Sequence, residues 1–165
     1  MRFLAVQLVP VYFVHGDGVR RNRPALADDA YFLSAGGFMA ILSLVFGGAL
    51  GTLVRYLVGL ASQAMFPAYL PLGTVVVNVL GCFLIALLTG LRPLGVVPPV
   101  WHLMLGTGFL GAFTTFSTFA LESHALGQEG PWSRAALYVF ANLGLGYFAF
   151  VLGRASALRL GAAVA

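Results

Sequence analysis

Four long apolar runs, Phe38 to Leu57, Leu70 to Leu91, Val100 to Leu121 and Ala135 to Leu152, leave this chain few ways to fold. Each runs close to the roughly 20 residues that a helix needs to cross a hydrocarbon core. Lipid offers no water to the backbone, so each run must satisfy its own N–H and C=O groups, and a helix does this within one segment. The connections carry border signals: Gln63 and Pro67 after the first run, Arg92, Pro93, Pro98 and Pro99 after the second, Gly127 to Pro131 after the third. Trp101 and Trp132 head the third and fourth runs, where an indole favours the membrane interface. With 60% hydrophobic and 8% charged residues and a mean hydropathy of +0.94, the composition excludes an ordinary soluble domain. The expected fold is an all-α integral membrane protein of four transmembrane helices.

Residues 1–37 break the pattern. Met1 to Val14 is apolar but too short to span, and Pro10 interrupts it, while Asp17, Arg20, Arg21, Arg23, Asp28 and Asp29 follow. A signal peptide fits poorly, because the charged cluster comes after the apolar run. The segment reads as a disordered or surface-lying extension, a regulatory segment, or, the favoured reading, translated sequence upstream of a start at Met39. The four-helix membrane body is then 38–156, with 157–165 as a short tail. All nine basic residues are arginines, scattered rather than striped, so no nucleic-acid partner is indicated. Cys82, the single cysteine, reads as a small packing residue. From Met39 onward Arg92, Arg154 and Arg159 fall on one side and Arg55 and Arg134 on the other. So even a distribution fixes no orientation and permits an antiparallel pair, although Arg20, Arg21 and Arg23 would favour the Arg92 side.

Two places inside the runs are polar. Gly111 to Phe119 contains Thr114, Thr115, Ser117 and Thr118 interleaved with Phe113, Phe116 and Phe119. Hydroxyls in hydrocarbon need partners, and glycines at 106, 108 and 111 make this a place where a helix can break and expose carbonyls. A continuous helix with back-bonding threonines is the other reading. Asn78 stands alone among valines in the second run, one turn after Thr74, either as helix glue or as a donor to an anion. No carboxylate lies near a span centre, and Glu122 sits towards the end of the third run. Proton-coupled transport normally needs such a group, whereas Asn78, Ser117, Thr118 and Tyr138 offer donors and phenylalanine offers an electropositive ring edge. A pathway lined by such groups suits an anion. Four helices leave no wide lumen, so the path must run along helix faces or between subunits.

Three ordered motifs, Gly47 to Tyr56, Gly73 to Gly81, and Gly106 to Phe119 ending in Thr-Thr-Phe-Ser-Thr-Phe, resemble the Fluc/CrcB fluoride channels over Phe46 to Leu152. The resemblance implies a dual-topology antiparallel homodimer with a broken third helix, two fluoride pores and a central sodium ion. It implies Asn78 as the pore asparagine, Phe116 and Phe119 as the fluoride-facing rings, and Ser117 and Thr118 as hydroxyls at the break. Gly111 and Thr114 would give sodium-binding carbonyls, while Arg55 and Glu122 would lie at the vestibule. Arg55 snorkelling to headgroups and Glu122 as an ordinary helix-end carboxylate are the plainer alternatives. In the fourth run the family's tyrosine and two serines correspond to Tyr138, Asn142 and Gly146, which alters the polar track, and Tyr138 is open to a packing role. The expected function is passive fluoride export across a bacterial-type inner membrane. A small proton-coupled drug or metabolite transporter and a noncatalytic assembly subunit are the alternatives, and no enzyme is indicated.

Overall fold

A computed structural model of the chain describes residues 35–66 and 70–164, all of whose regular structure is helical. The expectations for residues 1–34 fall outside the described residues. Four stretches are long and apolar enough to cross a membrane: Gly37–Met65, Leu72–Leu94, Pro99–Glu129 and Trp132–Ala163. The first is one helix, α1 (Ala35–Met65), and the second is α2 (Leu72–Leu91) followed by a 3-10 turn over Arg92–Leu94. Gly95 closes that turn at φ 67°, a left-handed conformation that suits glycine. The third consists of α3 (Pro99–His102), a π-helical stretch (Leu103–Leu110), α4 (Gly111–Phe113) and α5 (Phe116–Glu129). In the fourth, α6 (Trp132–Phe140) passes through a π-helical stretch (Ala141–Leu145) into α7 (Gly146–Val164).

Every span is longer than, or shifted from, its hydropathy window. The fourth differs most, because residues 157–164 continue α7 instead of forming a tail. The reason lies in packing: Ala157 is 1% exposed and fills the space beside Gly90, where a side chain on the glycine would overlap it. Arg154 and Arg159 stay exposed on that helix, as long cations at a membrane border do.

Small residues set which helices touch. α1 lies against the π-helical stretch of the third span, and a Cβ on Gly47 or Gly51 would run into the carbonyl oxygens of Met104 and Phe109. α2 lies against α7, where a Cβ on Gly153 would overlap the Phe83 carbonyl. Without apolar attraction to drive helices together in lipid, such backbone approach supplies the dispersion contacts. Two buried clusters result, one of Val75, Phe119, Leu126, Ala135 and Tyr138, the other of Val77, Leu110 and Phe113. Between them, in the middle of the bundle, lies the polar segment.

Candidate functional site

The third span changes direction at two threonines. α4 ends at Phe113, Thr114 is extended at φ −79° and ψ 156°, Thr115 is extended at φ −149° and ψ 117°, and α5 begins at Phe116. Two local interactions hold this geometry. The Thr115 hydroxyl accepts the Thr118 N–H at 3.2 Å, an N-cap of the kind that favours a helix start. Asn78, arriving from α2, does the rest: its Oδ1 accepts the Thr115 N–H at 2.9 Å, and its Nδ2 donates to the Thr115 carbonyl at 3.2 Å. The carboxamide thereby substitutes for helical partners that the extended backbone has lost.

Those two amides have a further significance. In a continuous α-helix Thr115 N–H would meet the Gly111 carbonyl and Thr118 N–H the Thr114 carbonyl. Both are engaged elsewhere, on Asn78 and on the Thr115 hydroxyl. The carbonyls of Gly111 and Thr114 therefore lose the donors of an unbroken helix. Neutral backbone oxygens are ligands that a hard cation takes from protein, and these two carbonyls would be the ones to hold the sodium ion that the resemblance implies.

Two cavities meet at this point. The larger, about 350 Å³, has Asn78, Thr114, Thr115, Phe116, Phe119 and Asn142 in its wall, together with Gly111. The smaller, about 180 Å³, is bordered by Arg55, Thr74, Thr115, Thr118 and Glu122. Thr115 belongs to both. Thus Asn78, Phe116, Phe119, Asn142, Gly111 and Thr114 gather on one side of the break, and Arg55, Thr118 and Glu122 on the other. Ser117 is exposed, 3.4 Å from the Thr115 hydroxyl, and lines neither cavity. Tyr138 is fully buried at 0% exposure and lines neither cavity; its hydroxyl donates at 2.5 Å to Glu122, which borders the smaller one.

Aromatic rings join the two sides. Phe119 is buried between Phe116, ring centroids 5.4 Å apart, and Tyr138, at 5.8 Å. Phe116 is 74% exposed in a single chain, so one wall of the larger cavity is a surface. Arg55 Nε is buried without a hydrogen-bond partner, an unmatched cationic donor beside the smaller cavity. Asn142, 5% exposed, accepts from Asn78 Nδ2 at 3.0 Å and donates to the Tyr138 carbonyl at 3.1 Å.

Sequence reasoning passed over Thr115, which touches everything at the break, because four adjacent hydroxyls look alike in a string. Its signal was the Thr115-x-x-Thr118 spacing of a cap. Thr74, 7% exposed, was visible as a polar neighbour of Asn78 but not as part of the smaller cavity.

Comparison with known proteins gives the family. The profile of the CrcB-like protein, camphor resistance (CrcB) family matches residues 42–154. A fluoride-specific ion channel of Thermosipho melanesiensis is 49% identical over 123 residues, covering 70% of this chain and 97% of that protein. The channel of the same name from Maridesulfovibrio salexigens is 45% identical over 116 residues, covering 69% and 91%. That from Shewanella oneidensis is 41% identical over 114 residues, covering 69% and 92%. The matched segment takes in most of all four spans and every residue named in the two cavities, and this chain, a multi-pass membrane protein, belongs to the CrcB family.

Proposed function

We propose that this chain is a fluoride-selective channel that lets the anion leave the cytoplasm passively. The observation that carries the reading is the larger cavity: in a chain 49% identical to a fluoride-specific ion channel, it gathers Asn78, Asn142, Phe116 and Phe119 at the start of a helix. Everything at that place favours negative charge. Helix α5 opens with its amides and positive dipole end at the break, the phenylalanines offer ring edges, and Arg55 supplies a partnerless guanidinium nitrogen on the far side of Thr115. Ser117 and Thr118 add hydroxyls beside the path, and Tyr138 fixes Glu122 at the outer vestibule. Catalysis plays no part. Hydrogen fluoride is neutral, crosses lipid and ionises in a less acidic cytoplasm, so a passive pore in a bacterial-type inner membrane relieves the trapped anion.

A single chain leaves this pore half-walled. Phe116 is 74% exposed, and Phe140 and Tyr147 on the fourth span are 74% and 71% exposed. A second, antiparallel copy covers them in our reading and completes two pores. The described arginines, Arg92, Arg154 and Arg159 against Arg55 and Arg134, are balanced enough to allow it. Gly111 and Thr114 would hold a sodium ion through their carbonyls, and the ion would supply fixed positive charge that ties the broken helices together.

The test is halide efflux from liposomes carrying the purified chain. Fluoride efflux without chloride efflux, reduced at least tenfold by Asn78→Ala and by Phe116→Ile, is the expected result. Efflux that moves protons with an organic substrate, or no fluoride movement at all, would end the proposal.

A further inference from the structure

Asn142 stands where the sequence departs from its family, and its hydrogen bonds give that departure a meaning. Two backbone groups of fixed chemistry orient the carboxamides. Thr115 N–H can only donate, so it meets Asn78 Oδ1, and the Tyr138 carbonyl can only accept, so it meets Asn142 Nδ2. Hydrogens can then be counted. Asn78 Nδ2 has two: one goes to the Thr115 carbonyl at 3.2 Å and the other to Asn142 Oδ1 at 3.0 Å. Both donors of Asn78 are thus held by protein oxygens, and a side chain, not the backbone, holds the second.

We propose that Asn142 is a built-in competitor for the permeating anion: its carboxamide oxygen occupies the Asn78 donor, and fluoride reaches that hydrogen only by displacing it. The inference rests on the fluoride reading. Between ions, Asn142 keeps Asn78 poised and satisfied, so the empty site does not collapse onto another acceptor. When an ion arrives, it exchanges with a hydrogen bond instead of filling a vacancy, which lowers occupancy and eases release. Conduction needs binding weak enough to leave. The exchange also selects, because a small, strongly accepting halide displaces an amide oxygen that a larger, weaker acceptor leaves in place. Asn142 acts through Asn78 and is therefore a positioning residue.

Serine is the informative replacement. Hydroxyls on these helices bond back to the carbonyl four residues earlier at Ser43, Thr89, Thr114, Ser123 and Ser156. A serine at position 142 would do the same to Tyr138, and its shorter side chain would release Asn78 Nδ2. The experiment records conductance against fluoride concentration in planar bilayers for the full chain, Asn142→Ser and Asn142→Thr. Threonine makes the same back-bond and fills more of the space, so it carries the test if the serine variant does not assemble. The half-saturating fluoride concentration should fall about three- to tenfold, the worth of one neutral hydrogen bond. A merely structural role would not lower it. Unchanged or raised half-saturation in the variants overturns the inference while leaving the fluoride reading intact, and an unsubstituted chain that passes no fluoride removes the reading itself.

Discussion

Replacing Asn78 with alanine removes three hydrogen bonds at once: from Thr115 N–H at 2.9 Å, to the Thr115 carbonyl at 3.2 Å and to Asn142 at 3.0 Å. In a soluble core each orphaned group would cost about 1–3 kcal/mol. Interhelical hydrogen bonds in membranes average only about 0.6 kcal/mol, because the chain unfolded in lipid also finds partners. Asn78 is half-buried against a cavity, so the lower figure governs, and three bonds give about 2 kcal/mol. Asn78→Asp retains an oxygen for Thr115 N–H, but it turns its second oxygen towards the Thr115 carbonyl and Asn142 Oδ1 and places a carboxylate inside a span, about 2.5–3.5 kcal/mol. Stability by reversible unfolding in mixed micelles should therefore rank the original chain above the alanine variant and that above the aspartate variant. Fluoride efflux should rank differently: both variants lack the donor, so both fall at least tenfold. An alanine variant within about 0.5 kcal/mol of the original chain would refute the claim that this network holds the third span open. An aspartate variant conducting normally would refute the donor role.

Two contrasts test the packing around the site. Phe119 is 7% exposed between two rings, so Phe119→Ala should cost about 3 kcal/mol; Phe116→Ala, 74% exposed in one chain but covered by the second copy in our reading, should loosen the pair and depress fluoride flux. A Phe116→Ala pair that dissociates no more readily than the original would contradict the arrangement. Gly51→Ala should destabilise by about 1–3 kcal/mol, because its methyl would meet the Phe109 carbonyl, whereas Gly48→Ala, whose methyl would lie 3.9 Å from the Gly108 carbonyl, should be nearly neutral in a thermal-unfolding assay.

The spans were legible because a hydropathy run reports the solvent, and lipid is unforgiving about backbone. Their ends were not. α1 runs to Met65 and α7 to Val164, past the apolar windows, since Gly73 against Gly59 and Ser62, and Gly90 against Ala157, continue packing seams that hydropathy does not weigh. Of the site, Asn78, Phe116 and Phe119 were visible as polar or aromatic anomalies, and motif resemblance gave them roles. Partnerships were invisible: that Tyr138 donates to Glu122, sixteen residues earlier, and that Asn142 accepts from Asn78, sixty-four residues earlier, depends on helix rotation that no local pattern encodes. Thr115 was hidden for a different reason, since its hydroxyl is one of four alike and the rest of its role lies in a backbone N–H that every residue but proline has.

That amide links the two ligands proposed for the site. Asn78 Oδ1 takes the Thr115 N–H that would otherwise close on the Gly111 carbonyl, and in doing so the same side chain comes to face the larger cavity. In the proposed reading, one hydrogen bond thus holds a donor in the anion path and keeps an oxygen available to a cation. If the link is real, Asn78→Ala returns Thr115 N–H to Gly111 and weakens both sites together. Replacing sodium by a bulky organic cation should then lower the melting temperature of the original chain but leave that of the alanine variant unmoved. Were Asn78 only an anion ligand, both proteins would respond to sodium alike, and the two sites would have to be treated as independent.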